Sequence, residues 1–98
     1  MIKNITLYTL TDNGIPVDKA IRMLGMIARY IAPHHVQVHR PIILKGKATT
    51  TTATMRAWNI DSLDELCEDR LINPRRSLIA NWIDLKRILI ALKTKDNK

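Results

Sequence analysis

The chain has 98 residues, enough for one domain with a modest core and too few for a second. Sixteen lysines and arginines stand against nine acids, a formal net charge of +7, so an anionic partner is favoured: nucleic acid, an acidic protein face or a membrane surface. The single cysteine, Cys67, excludes an internal disulfide, and no apolar run reaches the roughly 18 residues that a membrane-spanning helix needs.

In chain order, residues 2–10 (IKNITLYTL) mix Ile, Thr, Leu and Tyr with partial alternation, which predicts a strand. Thr11-Asp12-Asn13-Gly14 is turn chemistry, because Asn and Gly tolerate positive φ. Pro16 opens a helix over Val17–Ala32, with Val17, Ala20, Ile21, Leu24, Ile27, Ala28 and Ile31 on the core side. Lys19, Arg22, Met26 and Arg29 then run down the opposite side, and Pro33 ends the helix. Gly25 in mid-helix costs up to about 1 kcal/mol relative to Ala, which leads us to expect another backbone packed close to it.

Residues 35–45 (HVQVHRPIILK) read as a strand placed at an edge or broken at Pro41, where a ladder donor is missing. Lys45-Gly46-Lys47 turns the chain into the threonine run 49–52, which is either a second hairpin strand or a loop. Ser62 and Glu65 match a reciprocal capping pattern that opens a helix with Leu63, Leu66, Cys67 and Leu71 buried. Asn73-Pro74 starts the last helix, where Leu78, Trp82, Leu85, Leu89 and Leu92 are spaced 4, 3, 4 and 3. Ile79, Ile83 and Ile90 form a second stripe beside that seam, and Ile88 lies further round. With no phenylalanine at all, the core must be aliphatic.

The expected fold is therefore α+β, one domain over 1–98, in the order β-α-β-β-α-α. Short antiparallel strands and a basic N-terminal helix make up residues 1–60. A helical pair fills 61–95, ending in a long, very apolar helix, and 96–98 form a frayed tail. Residues 1–60 carry eight lysines and arginines with only Asp12 and Asp18, whereas 61–98 are nearly neutral, so the basic surface belongs to the first part. Its anion- or nucleic-acid-binding candidates are Lys19, Arg22, Arg29, Arg40, Lys45 and Lys47, weighed against an ordinary solvated face.

Chemistry is sparse. His34, His35 and His39 cannot share an ion as a strand set, since His35 and His39 would lie about 13 Å apart at roughly 3.3 Å per residue. Cys67 falls on a buried face and reads as a core residue. Tyr30 and Trp58 are too few aromatics for a base-stacking platform. Without a positioned acid–base pair, a nucleophile with its base or a phosphate loop, we expect no enzyme, no metal and no cofactor. A helix-turn-helix over the last two helices is disfavoured, because the first is acidic and the second is too aliphatic to read base edges.

The surplus apolar face of the last helix instead suggests docking on a larger protein, through Arg75, Arg76, Ile79, Ile83, Lys86, Arg87 and Ile90. For the two arginines the alternative is pairing with Asp64, Glu65, Glu68 or Asp69 on the preceding helix. In size, basicity and absence of a catalytic motif across the whole chain, the protein resembles the small anti-RecBCD accessory proteins of temperate enterobacterial phages. That resemblance implies a modulator or inhibitor docking on a larger host DNA-processing protein such as a nuclease or recombination enzyme. It matches no motif and carries over no residue. The alternatives are direct binding of DNA or RNA through the basic first half, and a homodimeric regulator. The lone cysteine and the lack of a secretory-type apolar run at the N-terminus lead us to expect residence in the cytoplasm, with no membrane partner.

Overall fold

The computed structural model describes residues 3–73 and 79–96, and within them every side chain except those of Ile42, Leu44, Lys95 and Asp96. Seven elements follow in order: β1 (Asn4–Ile5), α1 (Leu7–Asp12), α2 (Val17–Ala28), β2 (His34–Leu44), β3 (Lys47–Asn59), α3 (Ile60–Ile72) and α4 (Ile79–Asp96). Among the described residues the fold is mixed, four helices with a three-stranded antiparallel sheet in the order β1-β3-β2.

The expected N-terminal strand survives only as Asn4–Ile5, paired with Asn59 and Trp58 of β3. Thr6 breaks it. The Thr6 backbone N–H donates to the Thr9 hydroxyl at 3.1 Å, satisfying a helix-end donor locally, and the chain turns into α1. Threonine alternation therefore marks a cap here and not a pleat, and the order gains a helix.

The second helix ends at Ala28, four residues earlier than the spacing predicts. Its buried face is also rotated. Ala20, Met23, Leu24, Met26 and Ile27 are buried, while Val17 and Ile21 are 55% and 54% exposed. Met26, expected beside the basic residues, is 3% exposed and belongs to the core cluster. The neighbour expected at Gly25 is absent: the residue is exposed, and a Cβ built there meets nothing within 4 Å.

β2 and β3 form a long hairpin whose register runs from His34 opposite Ala57 to Leu44 opposite Lys47. Its turn has positive φ at both central residues, 52° at Lys45 and 78° at Gly46. Such a turn matches the natural twist of paired strands. The threonine run is strand throughout, and β2 lies at the sheet edge, where Pro41 can be tolerated.

α3 begins three residues earlier than a Ser62 cap would place it. The Asn59 Oδ1 accepts from the N–H groups of Asp61 and Ser62 at 2.9 and 3.3 Å, so Asn59 is the N-cap and the expected Ser62–Glu65 box is not formed. The Ile60 N–H donates to the Lys3 carbonyl at 2.8 Å, tying the N-terminal strand to this junction.

α4 is the longest helix, at 18 residues, but it is not apolar all round. Trp82, Leu85, Ile88, Leu89 and Leu92 are buried, whereas Asp84, Lys86, Arg87, Lys93 and Thr94 interrupt the rest of its circumference. No described helix is long and apolar enough to cross a membrane. The core joins this seam to Ile5, Leu10, Met23, Ile27, Trp58, Leu63 and Cys67. Pro74 and Leu78, and with them the expected start of the last helix, lie outside the described residues, as do 97–98 of the expected tail.

Candidate nucleic-acid interface

From residue 34 to 59 the hairpin contains no carboxylate, but it contains Arg40, Lys45, Lys47, Arg56 and three histidines. Packing anchors only its root. Val36, Val38, Arg40 and Met55 are half-buried, Ala57 and Trp58 are buried, and every described residue from 45 to 54 is exposed. Past the last anchored pair, Arg40 with Thr51, the ribbon runs on for about 15 Å at roughly 3.4 Å per residue. The radius of gyration, 14.5 Å, reflects this projection, since about 13 Å is usual for a compact chain of this length.

Side-chain alternation gives the ribbon two unlike faces. On one lie His35, Gln37, His39, Thr50, Thr52, Thr54 and Arg56, with Pro41, Ile43 and Ala48 toward the tip, all exposed. Cross-strand hydrogen bonds stiffen this face: Gln37 Nε2 donates to Thr54 Oγ1 at 3.2 Å, and His39 Nδ1 lies 2.8 Å from Thr52 Oγ1. The other face meets α1 at its root. There Arg40 lies 4.3 Å from the Tyr8 ring centroid and donates to both Asp12 carboxylate oxygens at 2.9 and 3.0 Å. Those hydrogen bonds hold the Asp12 carboxyl below its usual range. A cleft of about 520 Å³ opens between α1 and β2, lined by Tyr8, Thr9, Asp12, Val38, His39 and Arg40 among others. Its one lining carboxylate, Asp12, is paired with Arg40.

The candidate cations thus fall into two groups. Arg40 is committed to Asp12 and Tyr8, and Lys19 is half-buried in a contact with Asp84 of α4. Arg22 is exposed on α2 and Arg29 at its C-cap, and Lys45 and Lys47 sit at the arm's tip, with no ion pair among the described residues. Arg56 joins this free group. It is exposed on the polar ribbon face, 5.7 Å from the Trp58 ring centroid. Its isolation in sequence hid it, although its two-residue offset from Thr54 already placed it on that face.

The α4 candidates divide similarly. Ile83 and Ile90 are 39% and 53% exposed, Arg87 is exposed between them, and Ile79 is half-buried. Lys86 does not belong to that outer stripe. It donates to Asp64 at 2.6 Å and pairs with Glu68 at 2.7 Å, and those bonds raise its pKa. Lys93 also donates to Asp64, at 2.6 Å. Arg75 and Arg76 lie outside the described residues. Of the acids weighed as their partners, Asp64 and Glu68 bind these lysines and Asp69 pairs with Arg70 at 2.7 Å.

Trp58 is buried, with its indole N–H donating to the Ile31 carbonyl at 2.9 Å, so it cannot stack a base. Tyr30 is half exposed but is covered on one side by Arg70, 4.9 Å from its ring centroid, and meets Trp82 edge-on at 5.8 Å. Cys67 is fully buried, and burial pushes its thiol up to about 12. His34 Nε2 lies 3.1 Å from Asn4 Oδ1. Among the described residues no group of three or more His, Cys, Asp or Glu could hold a metal ion. No family model, curated protein or solved structure matches the chain.

Proposed function

We propose that this is a small, non-enzymatic binding protein of the cytoplasm that grips the backbone of nucleic acid with its β2–β3 arm. The observation that carries this reading is the carboxylate-free ribbon projecting from the core with free cations at its tip and flank. A two-stranded ribbon fits a duplex major groove about 12 Å wide. Phosphate contacts from lysine, arginine and threonine hydroxyls provide affinity without sequence information. The isolated hairpin is also marginally stable by itself, which suits an element that firms up on a polyanion.

The test is fluorescence anisotropy with random-sequence duplex and single-stranded DNA over a range of salt. Three free arm cations (Lys45, Lys47 and Arg56) give an expected slope of log K against log salt near −3 on duplex, from about 0.9 per phosphate neutralised. Lys45→Glu with Lys47→Glu should remove most of that slope. Absence of binding at low salt, or binding indifferent to the double change, rejects the proposal.

A second reading is favoured by Ile83 and Ile90, exposed one above the other on α4 with Arg87 between them. In it the protein is a modulator that docks on a larger host DNA-processing protein, as its likeness to phage anti-RecBCD accessory proteins implies. A nuclease-resistant stoichiometric protein partner that is lost with Ile83→Asp and Ile90→Asp supports it.

A further inference from the structure

The outward face of α2 has no role in the arm, and it has a composition that an ordinary solvated helix does not need. Val17, Ile21 and Gly25 follow one another at intervals of four, so they lie along one ridge. The two branched residues are more than half exposed, and the space above Gly25 is open. Glycine in a helix centre is destabilising relative to alanine. Among the described residues nothing recovers that loss, because no neighbouring element comes within 4 Å of a Cβ built there. Along the other border of the same face run Asp18, Arg22 and Arg29, all exposed and without an ion pair among the described residues.

We infer that this face docks on the same face of a second copy of the chain, the two α2 helices antiparallel across a two-fold axis. The pattern is self-complementary in that arrangement. A two-fold axis midway along Ile21–Gly25 sets each Ile21 over the partner copy's open glycine position, a knob over a hole, in both directions. The same operation brings Asp18 at the start of one helix to Arg29 at the end of the other, twice. It keeps the apolar border against the apolar border and the charged border against the charged border, as an isologous contact requires. Gly25 is the residue that permits close approach, and any side chain there would hold the helices apart. A parallel two-fold pairing instead lays each charged border against the apolar border of the other copy.

The 12-residue helix is about 18 Å long, so the contact is at the small end of stable interfaces and association belongs in the micromolar range. This inference is independent of what the arm binds. Sedimentation velocity on nuclease-treated full-length protein, loaded between about 1 and 100 µM, should show a monomer shifting to dimer. Gly25→Gln improves helix propensity and meets no neighbour in the monomer, so the fold should be kept or strengthened, while dimer affinity falls at least about tenfold. Asp18→Arg and Arg29→Asp should each weaken the dimer, and the two together should restore it. A wild-type chain that stays monomeric throughout, a dimer unaffected by Gly25→Gln, or a charge reversal that fails to restore association would overturn the inference.

Discussion

Asp64 is the junction between the last two helices, and its removal is a quantitative test of how α4 is held. It accepts from Lys86 and Lys93, both at 2.6 Å, with side-chain exposures of 25% for Asp64, 20% for Lys86 and 41% for Lys93. Exposed ion pairs contribute about 0.2–1 kcal/mol each, and the more sheltered Lys86 contact falls at or slightly above the top of that range. Lys86 keeps Glu68 at 2.7 Å when Asp64 is neutralised, which offsets part of the loss. Asp64→Asn should therefore cost about 1.5 kcal/mol. With an unfolding entropy of roughly 2.1 cal/mol/K per residue, this corresponds to a fall of about 7 °C in Tm for a 98-residue chain.

The pH dependence identifies the cause. Hydrogen bonds from Lys86 first, and Lys93 second, lower the folded-state pKa of Asp64. A lowered carboxylate pKa stabilises the fold above the unfolded value, near 3.9, and that contribution disappears as pH falls through the folded value. Thermal unfolding followed by circular dichroism should thus show the full gap between wild type and variant at about pH 6, narrowing below about pH 4. A change in Tm of less than about 1 °C at neutral pH, or a gap equally wide at pH 3, would refute the ion-pair account.

Three further outcomes follow from neighbouring features. Leu89 is fully buried and Ile90 half exposed on the same helix, so Leu89→Ala should cost about 2–5 kcal/mol in urea unfolding and Ile90→Ala less than about 1. Asn59→Ala removes the acceptor for Asp61 and Ser62 and should cost about 1 kcal/mol, visible as earlier loss of helical signal. Cys67, buried and with its thiol pushed up to about 12, should resist alkylation near pH 8 until the protein is unfolded by denaturant. Rapid native labelling would show that the α3 face opens.

The sequence disclosed the parts of the molecule governed by a single strong period. The leucine seam of α4 is buried as its spacing predicts from Trp82 onward, and the hairpin with its Lys45-Gly46 turn follows from β-branched runs around a glycine. What it concealed depended on competition between local signals. Thr6 and Thr9 fit a pleat and a helix cap equally well, and only the hydrogen bond between them decides the outcome. Met26 looks solvent-facing on a helical projection of α2 alone, but that projection takes no account of the elements packed around the helix. Asn59 displaced Ser62 as the cap because β3 delivers its side chain directly above the first free N–H groups.

The candidate site was legible in charge and not in geometry. Composition pointed to the first sixty residues, and Lys45 and Lys47 do occupy a projecting tip. Lys19 and Arg40 met acids far away in the chain, Asp84 and Asp12, and such pairings have no signature at short range. Lys86 was hidden in the same way, since its partners come from a different helix.

Among the described residues, no strand neighbours the hairpin's two margins along most of its length, because β1 pairs only with Asn59 and Trp58. Each margin is a template onto which another molecule's strand could zip. Mutual repulsion between like-charged arms is the barrier to that stacking, and dissolved ions weaken it. On the proposed reading, concentrated brine should therefore act in opposite senses on this one element, releasing polyanions from it while promoting fibrillar self-assembly through it.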